Sequence, residues 1–281
     1  MEEKTEQQRF REMIAQMLNL IHPDLQMGVS DEADYASLYR YVENYVMEKC
    51  LRNSAVALPL VAGMLTRNDD DLIIRANDAA SREVFFSHCL SVCRMLIDLH
   101  IPLSSRDEDI MLASALCHVL PETMRFSSLK YELIQQYRLD PGVYEIVNLL
   151  YRNEEGMEEE QRAYYNAIQE NRLALMIKLA DQGNLVEQLY GISTWSARRY
   201  IHETRTYFFP MCIYAKEHHH GIRAPISILM EKMRSLTVVA EILLSRFETQ
   251  ESDLLQEILA LQEENAALRG VIGMMEKNKE S

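Results

Sequence analysis

Apolar residues recur along most of this chain at the three- and four-residue spacing of an amphipathic helix. The alternation of a half-buried strand is found nowhere over a useful length. Phe10, Ile14, Met17, Leu18 and Ile21 predict a helix over residues 5–22, ended by Pro23, which cannot continue a hydrogen-bonded ladder. Tyr35, Leu38, Val42, Tyr45 and Val46 share one face of a second helix over 31–52. An apolar segment at 55–65 is closed by a polar cluster at 68–71. From 72 to about 215 one helix follows another. Ser104 and Ser105 before Asp107 and Glu108 signal a helix start ahead of 110–120. Leu139-Asp140-Pro141-Gly142 reads as a turn before a helix at 143–151, and 153–160 as an acidic loop or helix start. Residues 173–179 are apolar except for Lys178, as in a helix buried on most sides. The expected fold class is all-α.

The C-terminal stretch carries a different period. With Leu244, Glu251, Ile258, Asn265 and Ile272 at heptad position a, position d holds Phe247, Leu254, Leu261, Leu268 and Met275. A 3.5-residue repeat of this length implies a left-handed coiled coil. Leucine at d with a single Asn at a favours a parallel dimer, because two Asn side chains pair across the seam. Glu264 at g faces Arg269 at e of the partner helix. A homodimer through 244–275 is the expectation, against the plainer alternative of a helix packed on its own domain. Residues 276–281 should fray.

Composition narrows the class. Nine glycines and seven prolines in 281 residues signal few turns, which favours long helices with short connections. A net charge of −14 argues against nonspecific binding to nucleic acid or an anionic membrane, although a local basic pocket remains open. No apolar run reaches the roughly 20 residues of a membrane helix, and the polar start MEEKTEQQRF is unlike a signal peptide. The odd count of scattered cysteines (Cys50, Cys89, Cys93, Cys117, Cys212) suits reduced, mostly buried thiols and a cytoplasmic location.

Three segments, in order, resemble the hydrolase domain of RelA/SpoT-type (p)ppGpp enzymes, members of the His-Asp (HD) phosphohydrolase superfamily. Ser87-His88-Cys89-Leu90-Ser91-Val92 looks like the family's His-Pro-x-x-Val helix start. Residues 113–123, ASALCHVLPET, look like its Ala-Ala-Leu-Leu-His-Asp-Val-Val-Glu-Asp-Thr. Residues 176–181, MIKLAD, are close to its Ile-Lys-Leu-Ala-Asp-Arg. Residues 199–210, RYIHETRTYFFP, add a supporting match. The resemblance implies an HD-like helical bundle over 71–235, preceded by a helical extension at 1–70 and followed by the coil at 236–281. A synthetase domain is not expected within this sequence, because the chain passes into the heptads instead.

What the resemblance implies about chemistry is only partly matched. The family holds one divalent ion, typically manganese, on two histidines and two aspartates; the ion polarises the 3′-pyrophosphate and activates water. His88 stands on the first histidine and Asp181 on the last aspartate. The central His-Asp dyad has two registers: without a gap Cys117 takes the histidine's place and His118 the aspartate's; with a slip of one residue His118 is the histidine and Val119 replaces the aspartate. A slip of one residue turns a helical side chain by about 100°, so one register excludes the other. The candidate ligands are therefore His88, Cys117, His118 and Asp181, for manganese, or for zinc or iron if the Cys117 thiolate ligates. Glu122 alone remains of the Glu-Asp pair that positions water and handles protons. Ser81 and Arg82 stand near the family's basic strip and Asn184 near its asparagine; these three are the expected ligand-binding residues.

Plainer readings compete. Cys117 as a buried thiol, Cys89 and Cys93 as packed side chains, the 218–220 histidine tract as an exposed loop, and Trp195 with most tyrosines as core all need no function. Three functions are consistent with the whole: a degenerate hydrolase fold used as a guanine-nucleotide sensing or interaction module, an active metal-dependent pyrophosphohydrolase with altered ligands, or a structural helical adaptor with a closed pocket.

Overall fold

A computed structural model describes residues 35–66, 79–123, 129–152, 158–187, 189 and 194–246. The described chain is all-α and contains no strand. The helix expected at 5–22 and nearly all of the heptad stretch lie outside the described residues. Among the described residues, no helix is long and apolar enough to cross a membrane.

The helices are α1 (Tyr35–Glu48), α2 (Arg52–Thr66), α3 (Ala79–Asp98), α4 (Ser105–Cys117), the single turn α5 (Leu120–Thr123), α6 (Pro141–Leu150), α7 (Glu158–Glu170), α8 (Arg172–Glu187), α9 (Thr194–Glu203) and α10 (Phe209–His218). π-helical turns at Tyr131–Gln136 and Thr204–Phe208 precede α6 and α10. Chain contacts divide the molecule into Met1–Leu236 and Thr237–Ser281. Residues 223–236 close the first unit as a helix, with Ile226, Leu229 and Met233 in its core. In the second unit, residues 237–246 are helical, with Val239 and Leu243 buried.

Two helices form the centre. Residues 109–117 of α4 are buried without exception, and in α8 so are Leu173–Ile177, Leu179–Asn184 and Val186. Such all-round burial is what the apolar run at 173–179 predicts. Around them pack α2, α3 and α6 on α4, and α3, α6 and α7 on α8. α1 joins the same core through Leu38, Val42 and Val46, spaced four apart on its inner face.

Helix ends follow local chemistry. The Ser104 hydroxyl accepts from the Asp107 amide at 3.1 Å, as the helix-start signal predicts. Asp140 caps α6 in the same way through Gly142 at 2.9 Å, with Pro141 at the first helical position. The cap of α2 is instead supplied from afar. The buried carboxylate of Asp109 on α4 accepts from the amides of Asn53 and Ser54 and from both their side chains, all at 2.8–2.9 Å.

The helix expected over 31–52 breaks earlier, after Glu48. Cys50 adopts a left-handed conformation (φ 53°), and the Leu51 amide reaches back to the Val46 carbonyl at 3.0 Å, the bond that closes a helix C-terminus. His100 (φ 45°) and Arg138 (φ 53°) take the same conformation. In this glycine-poor chain, side-chain-bearing residues occupy positions that glycine fills at less cost. Exposed His100→Gly is accordingly expected to raise the unfolding free energy by about 1 kcal/mol, measurable by urea denaturation.

Trp195 corrects an expectation. It is 70% exposed rather than core, because α9 turns Ala197 and Ile201 inward and carries Trp195 on its outer side, beside the Arg199 guanidinium.

Candidate metal centre

Three side chains from three segments meet between α3, α4 and α8. His88 comes from the middle of α3, His118 from the residue that caps the C-terminus of α4, and Asp181 from the middle of α8. Their ligand atoms lie within 4.8 Å of one another. His88 Nε2 is 3.0 Å from Asp181 Oδ1 and 3.3 Å from His118 Nε2; His118 Nε2 is 4.0 Å from Asp181 Oδ1.

The far nitrogen of each ring fixes which nitrogen faces the centre. His118 Nδ1 lies 2.6 Å from the Ala115 carbonyl, which can only accept, so Nδ1 carries the proton and Nε2 presents a lone pair. His88 Nδ1 lies 2.7 Å from Asn184 Oδ1 and donates to it, which aims Nε2 inward too. Two imidazole lone pairs and a carboxylate oxygen then converge on one point, an arrangement that needs a cation at its centre or a proton on His88. Separations of 3.0, 3.3 and 4.0 Å are spans that one divalent ion, bonded to each atom at about 2.0–2.2 Å, would bridge. The donor set, two neutral imidazoles and one carboxylate, suits zinc, manganese or iron(II). These residues fit a divalent ion.

The second oxygen of the carboxylate is committed elsewhere. Lys178, three residues before Asp181 on the same face of α8, donates to Asp181 Oδ2 at 2.8 Å; the carboxylate is buried and the lysine half-buried. Burial alone would raise the Asp181 pKa, but Lys178 first and then the two histidines hold it well below the usual carboxylate range. Burial would lower the Lys178 pKa, yet Asp181 and the Tyr164 and Tyr165 phenols leave it well above its ordinary value. Burial pulls His118 down to about 4. His88 is also pulled down by burial, but the adjacent Asp181 outweighs this and leaves it raised.

The other sequence candidates fall as follows. Cys117 is not part of this cluster. It is the last residue of α4, wholly buried in the hydrophobic core near Cys93, and burial pushes its thiol up to about 12. One residue further on, the 100° turn brings His118 to the centre instead. Val119, next in line, is buried and apolar. Asn184 orients His88. Ser81 and Arg82 belong to α3 and Glu122 to α5, but their side chains lie outside the described residues. In the histidine tract, His218 stacks on Tyr214 at 3.9 Å and His219 Nε2 meets the Gln169 carbonyl at 2.8 Å.

Sequence reasoning assigned no role to Lys178, although a lone charge in an apolar run one helical turn before Asp181 is a readable signal. It also missed a polar group behind the site. Arg152 contacts Glu203, and Tyr165 donates to the same carboxylate oxygen at 2.7 Å while stacking on Tyr207 at 4.4 Å.

The two histidines give a signed pH prediction. His118 is neutral in the fold down to about pH 4 and protonates near 6.5 when unfolded, so the unfolded chain binds the extra proton between these values. Stability of the metal-free protein therefore falls by about 3 kcal/mol as pH drops from about 6.5 to about 4. His88 has the opposite sign: its contribution is complete below about 6.5 and is lost as pH rises through its raised value. The two histidines' joint contribution to metal-free stability should peak near pH 6.5, whereas the thermal shift produced by added Mn²⁺ or Zn²⁺ should grow from pH 6 to 8 as His88 sheds its proton. Melting curves across pH 4–9 with and without the ion check both slopes.

Comparison with protein-family models, with curated proteins and with solved structures returns no match.

Proposed function

We propose that the chain is a catalytically degenerate HD-type domain that holds one divalent ion on His88, His118 and Asp181 and binds a phosphorylated guanine nucleotide of the (p)ppGpp class beside it. In this reading it acts as a sensing or interaction module, dimerised through the heptads of 244–275. The observation that carries it is the convergence of three ligand atoms from the three segments that resemble the family's motifs. An ion there would supply a Lewis acid for a phosphoryl oxygen. The chain's residues do the rest. Asn184 and the Ala115 carbonyl orient the imidazoles, and Lys178 keeps Asp181 ionised.

Degeneracy follows from what stands at the dyad. With His118 as the histidine, the aspartate position is Val119, so among the described residues a second carboxylate is missing from the ligand set and one basic group fewer is present to manage protons. A second reading, an active pyrophosphohydrolase, is favoured by one feature: three protein ligands are the usual number in catalytic metal sites, which leave a position for water.

The test is equilibrium binding and turnover of (p)ppGpp by the purified full chain with excess Mn²⁺. Metal-dependent binding without turnover supports the proposal. Turnover that Asp181→Ala removes supports the active enzyme. Failure to bind both metal and nucleotide sinks both readings in favour of a structural adaptor.

A further inference from the structure

Asp181 divides its two oxygens between different tasks. Oδ1 faces His88 and His118, while Oδ2 accepts from the Lys178 ammonium at 2.8 Å. The lysine lies one helical turn away on the same face of α8, with only 18% of its side chain exposed, so it has little freedom to leave. Two consequences follow. An ion seated against Oδ1 meets a carboxylate with one oxygen already engaged, so Asp181 is a one-oxygen ligand. The charges also do not close: the imidazoles are neutral, and the lysine cancels the single carboxylate of the cluster. The full double charge of an ion would then be uncompensated in a buried place.

We propose that Lys178 tunes this centre toward phosphate, weakening its hold on the metal and strengthening its hold on an anionic phosphoryl group that supplies the missing negative charge. The proposal rests on the reading of His88, His118 and Asp181 as a metal site, and it adds what selects the ligand. A compact ammonium beside a divalent ion repels the ion and attracts a phosphoryl oxygen. Removing it should therefore move the two affinities in opposite directions. A merely structural lysine would not do this, because damage to the site weakens both.

The experiment uses the full chain with Lys178→Met, Lys178→Gln and Lys178→Arg. Mn²⁺ is titrated first, followed by calorimetric titration of pyrophosphate and of inorganic phosphate into the Mn²⁺-loaded protein. In Lys178→Met, Mn²⁺ should bind at least about tenfold tighter and pyrophosphate at least about tenfold weaker. Lys178→Arg, which keeps the charge, should stay within about threefold of the parent for both. Lys178→Gln keeps a donor for Oδ2 without charge; it should follow the methionine variant, and it carries the test if that variant fails to fold. Weaker Mn²⁺ binding by folded Lys178→Met or Lys178→Gln, or unchanged pyrophosphate affinity, overturns the role of Lys178 and leaves the metal site standing. Absence of Mn²⁺ uptake by the parent chain overturns both.

Discussion

Replacing Asp181 by alanine should abolish divalent-metal uptake and lower the unfolding free energy of the metal-free protein by about 3–5 kcal/mol at neutral pH. Both effects have one origin. The substitution removes the carboxylate that His88 and His118 face, and it strips Lys178 of its ion-pair acceptor inside the protein. A buried ammonium without an acceptor is the costly half of a broken pair. The sign with pH follows from the depressed Asp181 pKa: its stabilisation is fully present above the unfolded value near 4 and is lost as pH falls below it. Asp181→Asn keeps the shape and part of the hydrogen bonding, so it should lose metal equally but less stability. In the double variant with Lys178→Met much of the lost stability should return, because both charges are then gone. Urea denaturation gives the stabilities, and the Mn²⁺-induced shift in melting temperature gives the metal binding. A shift that survives in Asp181→Ala would remove Asp181 from the site.

The second large effect lies away from the centre. Asp109→Ala should destabilise the protein by about 3 kcal/mol. The carboxylate accepts two backbone amides and two side-chain donors from Asn53 and Ser54, and the Ser54 hydroxyl also meets the Asp109 carbonyl at 3.0 Å. Alanine leaves the first amides of α2 without acceptors next to the core, where water replaces the carboxylate poorly. The negative charge at a helix N-terminus adds to the loss. Asp109→Asn, which retains one acceptor oxygen, should cost less than half as much. Hydrogen exchange should speed up first at Asn53 and Ser54, because α2 then frays from the end that Asp109 held. Unchanged exchange there would show that α2 does not depend on this cap.

Much of the fold was legible because it is written locally. Leu38, Val42 and Val46 declare an inward face by spacing alone, Ser104 and Asp140 mark the starts of α4 and α6, and an almost unbroken apolar run in α8 declares a central helix. The end of α1 at Glu48 was not legible, since Cys50 is an unusual residue for a left-handed position and gives no glycine signal. Trp195 was misplaced for a related reason: aromatic character suggests burial on average, but the face it occupies depends on how Ala197 and Ile201 dock.

Of the candidate centre, the sequence offered four candidate ligands, His88, Cys117, His118 and Asp181, within an all-helical chain, and gave Lys178 no role. Only the tertiary structure decided which of two adjacent residues enters it. Cys117 and His118 differ by a 100° turn about α4, and the packing of α4 against α3 and α8 sends the thiol to the core and the imidazole to His88 and Asp181. The docking of α2 on α4 gave α2 the distant Asp109 as its cap, and that of α3 on α8 brought Asn184 to His88 across 96 residues of chain. Periodicity reports which way a side chain faces relative to its own helix; only the docking of the helices determines what it faces.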